Sequence, residues 1–255
     1  MLRRDFLALG VLPFLPQAGR DGAPKLADVV ADLVAGNRIL AQEGIVDGYG
    51  HISVRHPADR ERFLLARSVA PELVTAADIL EFGLDGEPVD AKGRTPYKER
   101  FIHSEIYRAR PDVNAVVHCH TPSIIPFADS SVPLRPMYHQ SAFLAAGVPV
   151  FEIREAGGMT NMLVETQALG RALAKSLGNK PAVLMRGHGA AVVADSILNV
   201  VGRSIYLDLN ARIQAQAIAL GGTITYIDPE EAKKYAASDN YSRAWELWKR
   251  KATAR

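Results

Sequence analysis

Two histidines two positions apart stand where a buried strand ends. His118 and His120 flank Cys119 directly after the apolar run Ala115-Val116-Val117. Because side chains alternate along a strand, the two imidazoles would share one face while Cys119 points to the other. A pair of this kind can place two imidazoles on one metal ion without backbone strain.

A third histidine has surroundings that suit the same chemistry. His188 lies in Arg186-Gly187-His188-Gly189, directly after the apolar run Val183-Leu184-Met185. The flanking glycines allow a sharp turn and leave the imidazole unobstructed. Three neutral imidazoles would leave a coordination position open for water or substrate, as in catalytic metal sites. Hydrogen-bonded structural histidines are the alternative, and the residue types alone leave it open.

The elements that would position these residues alternate between helix and strand. Apolar spacing predicts a helix from Leu26 to about Leu40, a helix over residues 98–109 that Arg110-Pro111 ends, and a helix from about Met162 to Leu177. Short strand patterns cover Gly50–Val54, Arg62–Leu65, Ala115–His118 and Ala182–Met185, and Asp195 is predicted to cap a long helix over residues 196–220. This order predicts one α/β domain of three layers, with helices on a mixed sheet.

Composition argues against nucleic-acid binding and excludes an internal disulfide. The 255 residues are 48 % hydrophobic, and 30 basic and 28 acidic side chains are interspersed to a net charge of +2. The sequence has no basic block or aromatic-basic repeat, so nucleic acid is not expected as a partner. The single cysteine excludes an internal disulfide.

The N-terminus carries the features of an export signal. Arg3-Arg4 precedes the apolar run from Phe6 to Leu15, and Pro16-Gln17-Ala18-Gly19 follows. The pattern resembles a twin-arginine signal over residues 1–24, which predicts a periplasmic or exported protein whose domain is residues 25–255. An ordinary N-terminal helix on a cytoplasmic protein is the alternative. The apolar run is too short for a stable membrane span, which needs about 20 residues.

Several ordered motifs resemble one family. Glu99-Arg100-Phe101-Ile102-His103 and the segment from Arg110 to Pro122 resemble the central motif of class II aldolase/adducin proteins. Arg186-Gly187-His188-Gly189 resembles their third metal-ligand turn, and Gly50–Arg55 is similar to the substrate-anion loop of the sugar-phosphate aldolases. The resemblance extends from about residue 25 to 228.

The resemblance implies a fold, an assembly and roles for individual residues. The fold would be a three-layer α/β/α class II aldolase-like domain with a mixed, largely antiparallel sheet, usually assembled as a tetramer with active sites between subunits. His118, His120 and His188 would bind a divalent metal, zinc or manganese first, with iron or cobalt as alternatives. Glu99 would be the catalytic acid/base, and its place at a helix start favours its anion.

The residues expected to bind substrate depart from the aldolase pattern. Where sugar-phosphate enzymes carry small polar residues, this chain has Gly50-His51, Ser68-Val69 and Tyr97-Lys98, with Arg67 beside the second pair. Bulkier and cationic groups do not suit a phosphate nest, so a small-molecule carboxylate is predicted, bound by His51, Arg67, Ser68 and Lys98.

Two loop residues are candidates for contacts between subunits. Tyr138 and His139 follow a proline-containing segment and could reach the active site of a neighbouring subunit in a homo-oligomer. A loop histidine with satisfied hydrogen bonds is the alternative. On the helix that follows Glu99, His103 stands four residues away and could orient that carboxylate, or simply pack.

The segments Gly44–His51 and Arg67–Glu72 resemble a bacterial branch that contains decarboxylases of hydroxylated aromatic or pyridine carboxylic acids. The function implied is a metal-dependent carbon–carbon lyase that decarboxylates such an acid through a metal-stabilised, enolate-like species, with Glu99 returning the proton. An aldolase acting on a non-phosphorylated hydroxy-keto compound would use the same chemistry. A ferrous-iron oxygenase is a third hypothesis. A non-catalytic adducin-like module is a fourth, but it predicts loss of the ligand histidines, and all three are present.

Overall fold

A mixed sheet forms the centre of the computed structural model, which describes residues 24–236 and 241–253. Within that range the strands run in the order β3-β2-β1-β4-β7-β6-β5. Only β5 and β6 pair in parallel, and every other neighbouring pair is antiparallel. The predicted mixed, largely antiparallel sheet is therefore confirmed. The strands are β1 His51–Arg55, β2 Arg62–Ala66, β3 Ile79–Gly83, β4 Ala115–Cys119, β5 Val150–Phe151, β6 Ala182–Met185 and β7 Gly189–Ala194.

Helices cover both faces of the sheet. One apolar core lies between the sheet and α1, α6 and α8, and a second lies between the sheet and α2 and α5. The predicted three layers are therefore confirmed. The helices are α1 Leu26–Gln42, α2 Arg100–Ala109, α3 Ile125–Ala128, α4 Ile153–Gly157, α5 Gln167–Leu177, α6 Ile197–Leu220, α7 Pro229–Ala236 and α8 Ser242–Thr253.

None of the helices in the described ranges has an apolar stretch long enough to cross a bilayer. The predicted signal segment, residues 1–24, lies outside the described residues except for Pro24, and it stays a prediction.

The central strand β4 is buried along its whole length, and its side chains alternate between the two cores. Ala115, Val117 and Cys119 belong to the core beneath α1 and α6. Val116 belongs to the core beneath α2 and α5. The His118 ring contacts Glu99 at the start of α2 and therefore lies on the side of the sheet opposite Cys119. The predicted opposition of Cys119 and the histidine is therefore confirmed.

Two predicted helix starts need correction. The helix expected from Met162 begins only at Gln167, because the Thr166 hydroxyl caps it by accepting from the Leu169 N–H at 3.3 Å. Met162 itself has a φ of +67°, which is incompatible with a right-handed helix. The long helix α6 is capped by Ser196 rather than Asp195, since the Ser196 hydroxyl accepts from the Asn199 N–H at 3.3 Å.

Helices α2 and α5 pack closely because a glycine lies at their contact. A Cβ atom added to Gly170 of α5 would lie 2.4 Å from the main-chain oxygen of Phe101 in α2. Main-chain atoms of a helix cannot move aside as a flexible side chain can. Gly170 therefore fixes the distance of α5 from the first turn of α2.

We expect Gly170→Ala to lower the free energy of unfolding by about 1–3 kcal/mol, because the added methyl group overpacks this contact. For a chain of this size the midpoint of thermal unfolding would fall by about 2–12 °C. Gly48→Ala is the matched control, since its added Cβ would meet no atom within 4 Å. Equal melting temperatures for the two variants would contradict the packing argument.

Candidate active site

Four side chains that could ligate a metal converge beside the end of β4. Glu99, His118, His120 and His188 each offer one ligand atom, and these atoms lie within 4.8 Å of one another. The Nε2 atom of His120 is 2.9 Å from His118 Nε2 and 3.1 Å from His188 Nε2. The Glu99 Oε2 atom lies 3.4 Å from His118 Nε2 and 3.5 Å from His188 Nε2.

Main-chain carbonyl groups determine which ring nitrogen of two histidines faces this cluster. His118 Nδ1 lies 3.1 Å from the oxygen of Ala190, and His188 Nδ1 lies 3.0 Å from the oxygen of Met162. A carbonyl oxygen only accepts, so each Nδ1 carries the proton that it donates. In the neutral form of each ring, Nε2 therefore presents a lone pair to the centre of the cluster, as in metal-binding histidines whose second nitrogen is hydrogen-bonded.

This arrangement of nitrogen atoms fits a bound cation. Two Nε2 lone pairs point at the same space, and a single proton on His120 Nε2 could satisfy only one of them. A divalent cation would satisfy all three nitrogens together, and three imidazoles with one carboxylate are donors that zinc, manganese, iron and cobalt accept. The residues present thus fit a divalent metal.

Glu99 stands at the N-terminal end of α2 with its two carboxylate oxygens in different roles. Its Oε1 accepts a hydrogen bond from the Val164 N–H at 2.8 Å, while Oε2 faces the histidines. Burial raises the pKa of this carboxyl, but the charges and hydrogen bonds of His118 and His188 outweigh burial and hold the pKa well below its usual range. Burial, followed by the neighbouring His118, lowers the pKa of His120 to about 4. Glu99 is therefore an anion, and burial favours the neutral form of His120 beside it.

Polar contacts hold the segments that follow the ligands. The Thr121 hydroxyl, next to His120, donates to the buried carboxylate of Asp208 in α6 at 2.7 Å. The Gly187 N–H, next to His188, donates to the Asp129 carboxylate at 2.6 Å. Each ligand-bearing segment thus has an anchor adjacent to its histidine.

A cavity of about 440 Å³ opens beside the cluster, a volume suited to a small organic ligand. Three of the predicted substrate-binding residues, His51, Ser68 and Lys98, line it together with Glu99 and His120. Lys98 is the only cationic side chain among the described lining residues. The remaining wall is formed by Gly48, Tyr49, Gly50, Val69, Ala70, Tyr97 and Leu163.

The fourth predicted substrate-binding residue does not line this cavity. Arg67 Nε is 2.6 Å from a carboxylate oxygen of Asp78, so its guanidinium is engaged in an ion pair. Sequence reasoning placed Arg67 at the site because it precedes Ser68, but the contact with Asp78 holds its guanidinium elsewhere.

The structure contradicts one further expectation and leaves another untested. His103 does not orient Glu99, because both of its ring nitrogens are engaged elsewhere, with His51 and Ser53 at 2.6 Å each. Tyr138 and His139 pack in an aromatic group with Tyr206 and Tyr235 and are not among the described residues that line the cavity. Their contribution to a neighbouring subunit stays a prediction.

Sequence reasoning missed several groups that shape the site. The main-chain atoms of Met162, Val164 and Ala190 orient two ligands and Glu99, and no side-chain pattern signals a main-chain role. Tyr97 lines the cavity and its hydroxyl donates to the Val69 carbonyl oxygen. Its position directly before Lys98 and Glu99 was the available signal.

Comparison with known proteins gives a consistent result. Residues 31–215 match the family model of the class II aldolase and adducin N-terminal domain. The chain is 35 % identical over 246 residues to the decarboxylase tropJ of Talaromyces stipitatus, covering 87 % of this chain and 92 % of that protein. It is 33 % identical over 223 residues to a 3,4-dihydroxyphthalate decarboxylase of Rhodococcus jostii, covering 82 % and 89 %. Among solved structures, an L-fuculose 1-phosphate aldolase from Glaciozyma antarctica superimposes with a TM-score of 0.71 at 25 % identity, covering 89 % of this chain and 87 % of that one.

Proposed function

This chain belongs to the class II aldolase and adducin family, and from that premise we propose that it is a metal-dependent lyase that decarboxylates a hydroxy-substituted aromatic or related carboxylate. The observation that carries the proposal is the cluster of Glu99 and three histidines, which opens on a cavity with one lysine. The relatives whose names describe decarboxylases support this choice of reaction.

His118, His120 and His188 would hold the metal, with zinc or manganese preferred and iron or cobalt as alternatives. A divalent cation at this position would polarise the substrate's oxygens and stabilise the electron pair left when carbon dioxide departs. The hydrogen bonds from Nδ1 of His118 and His188 to main-chain oxygens keep both ligands in the required tautomer.

Glu99 is the group that moves the proton. Its ionised Oε2 would accept the proton of the substrate's hydroxyl group, while the Val164 N–H holds Oε1 in place. When the bond between the ring carbon and the carboxylate breaks, the electron pair stays on the ring carbon, and Glu99 returns the proton there. The product oxygen then takes one proton from water, so each turnover consumes one proton and releases one carbon dioxide.

The cavity wall fits a planar, anionic substrate. The ring of Tyr97 and the side chains of Val69 and Leu163 offer apolar surface to an aromatic ring. Lys98 offers a cation to a carboxylate, and Ser68 offers a hydroxyl group. No acidic partner within hydrogen-bonding distance of Lys98 is found among the described residues.

An aldolase is the second candidate. The likeness to an L-fuculose 1-phosphate aldolase favours it, and retro-aldol cleavage would place the same demands on Glu99. The cavity wall favours decarboxylation, since bulky Tyr97 and cationic Lys98 stand where that class of enzyme carries small polar residues.

Two further expectations belong to the proposal. A homo-oligomer, a tetramer by family resemblance, would let Tyr138 and His139 meet a neighbouring site, and light scattering on the purified protein measures the number of chains. Export through the twin-arginine route would remove the N-terminal segment, and N-terminal sequencing of the mature protein detects the cut.

We expect elemental analysis of the purified protein to find about one divalent metal ion per chain. The His118→Ala, His120→Ala double variant would lose it, because two of three imidazole ligands are removed. His56→Ala is the control, because His56 is a histidine outside the cluster. Its ring accepts hydrogen bonds from the Ala58 and Asp59 N–H groups of its own loop. Absence of metal from the unmodified protein after reconstitution with zinc, manganese, iron and cobalt would overturn the metal-dependent function.

We expect the metal-loaded protein to release carbon dioxide from hydroxylated benzoates or phthalates, with one proton taken up per turnover. Glu99→Gln would lower kcat by about 10²–10⁴-fold, the range for loss of a general acid–base group, because the amide cannot carry the proton. Carbon dioxide, proton uptake and aldehyde are measured in parallel. Release of an aldehyde from a hydroxy-keto acid, without carbon dioxide from any aromatic acid, would identify an aldolase instead.

We expect Lys98→Met to raise KM for the carboxylate substrate by about 10- to 100-fold, because one charge-assisted hydrogen bond is lost. The effect on kcat would be smaller, since Lys98 does not touch the reacting carbon in this proposal. Lys175→Met, on the exposed side of α5, is the control for removal of a positive charge. An unchanged KM in Lys98→Met would exclude Lys98 from substrate binding.

A further inference from the structure

A continuous chain of buried hydrogen bonds leads from the cavity into the interior. His51 Nδ1 lies 2.6 Å from His103 Nε2, and His103 Nδ1 lies 2.6 Å from the Ser53 hydroxyl oxygen. The Ser53 hydroxyl oxygen lies 2.7 Å from the Tyr107 hydroxyl oxygen. None of the four side chains is more than 4 % exposed. The proposed reaction uses none of the three inner residues, although burying three polar side chains is costly unless every bond is made.

The strand register explains why this series of hydrogen bonds ends beside the proposed metal ligands. His51 of β1 pairs directly with His118 of β4, and their rings are 5.1 Å apart. Ser53 stands two residues along β1 on the same face, so it meets the same side of α2 as His51 does. His103 and Tyr107 are four residues apart on α2 and therefore share one helix face.

The Tyr107 hydroxyl, the innermost group, determines the direction in which the hydrogen bonds of this series are donated. Ser53 is the only side chain within hydrogen-bonding distance of the Tyr107 hydroxyl among the described residues. The hydrogen of Tyr107 must therefore go to Ser53, because an orphaned hydroxyl hydrogen in the interior would cost free energy.

The remaining protons follow one by one. Ser53, which accepts from Tyr107, donates its own hydrogen to His103 Nδ1. Neutral His103 then carries its proton on Nε2 and donates it to His51 Nδ1. Neutral His51, accepting at Nδ1, carries its proton on Nε2. That nitrogen is the one left for the cavity that His51 lines.

This series of hydrogen bonds cannot carry protons in from solvent. Its inner end, Tyr107, is 1 % exposed, and the guanidinium of Arg55 lies over its ring at 4.8 Å from the ring centre. The Arg55 guanidinium is itself bound to the main-chain oxygens of Tyr107, Arg60, Arg110 and Val113. A hydrogen-bond chain closed at one end can only orient the group at its open end.

We propose that Tyr107, Ser53 and His103 are positioning residues that hold His51 as the Nε2–H tautomer, so that His51 donates a hydrogen bond to an oxygen atom of the substrate in the cavity. This inference rests on the proposed function for the identity of the substrate oxygen, on a carboxylate or a ring hydroxyl. The donor itself follows from the protein's own hydrogen bonds. Lys98 and the metal ligands would bind the same molecule from the other sides of the cavity.

The tautomer can be measured directly on the zinc-loaded full chain by long-range proton–nitrogen NMR of ¹⁵N-histidine-labelled protein. His51→Phe and His103→Leu assign the signals. We expect an unprotonated Nδ1 and a protonated Nε2 in His51, and a shift of the His51 Nε2 proton when 2,3-dihydroxybenzoate is added. A proton on His51 Nδ1 would overturn the proposal, as would binding of the probe without that shift.

Kinetics test whether His103 acts through His51. We expect His103→Leu to lower kcat/KM by about 10- to 100-fold, the effect of misplacing one hydrogen bond to a charged group. His103→Gln, whose amide can donate to His51, would recover part of the loss, which a purely structural role does not predict. In the His51→Phe background, His103→Leu would add little further loss, whereas independent effects would multiply.

Two controls separate the possible failures. Tyr241→Phe removes a hydroxyl hydrogen bond to the Gln140 main chain outside the site and should leave kcat/KM unchanged. Metal content and melting temperature are measured for every variant. If the unmodified protein neither binds the probe nor turns over any carboxylate, the proposed function fails, while the His51 tautomer in the free protein still decides this inference.

Discussion

The hydrogen bonds from His118 Nδ1 to Ala190 and from His188 Nδ1 to Met162 are the interactions on which the site depends. They require that β4 and β7 pair in the observed register and that the segment before α5 stays out of the helix. Once both Nδ1 protons are committed, two nitrogen lone pairs must share a space about 3 Å across with His120. Without a positive charge there, those lone pairs repel. The fold thus assembles a centre whose electrostatics favour a bound cation.

Burial supplies the rigidity that this centre needs. β4 is covered on both faces, so His118 rises from a strand whose other residues are fixed in two apolar cores. Glu99 is held by the first turn of α2 and by the Val164 N–H, and α2 is in turn held by close packing at Gly170. Asp208, buried in α6, accepts from the residue next to His120. Elements from both helical layers therefore determine the position of one small cluster.

Much of the fold and of the candidate site could be predicted from the sequence. The remaining features could not, for physical reasons. The layers, the largely antiparallel sheet and the direction of His118 follow from apolar periodicity and alternation, because burial is the dominant local signal. The convergence of His118, His120 and His188 was predicted from glycine placement and motif resemblance. The start of α5 was placed five residues too early, since the apolar pattern continues through a segment whose main chain serves the site. Arg67 was a candidate because it adjoins Ser68, and His103 because it stands one helical turn from Glu99. Asp78 and Ser53, which are distant in sequence, determine their contacts instead.

The groups that orient the candidate metal ligands have a consequence for how this protein can evolve. Because main-chain carbonyl and N–H groups orient His118, His188 and Glu99, few substitutions elsewhere can remove those contacts. The cavity wall, by contrast, is made of side chains such as Ser68, Tyr97 and Lys98, carried on separate segments. Mutation can therefore replace the side chains that line the cavity one at a time, while the cluster of Glu99 and the three histidines keeps its geometry. A lineage built on this plan can change the molecule it acts on without losing the ability to break carbon–carbon bonds.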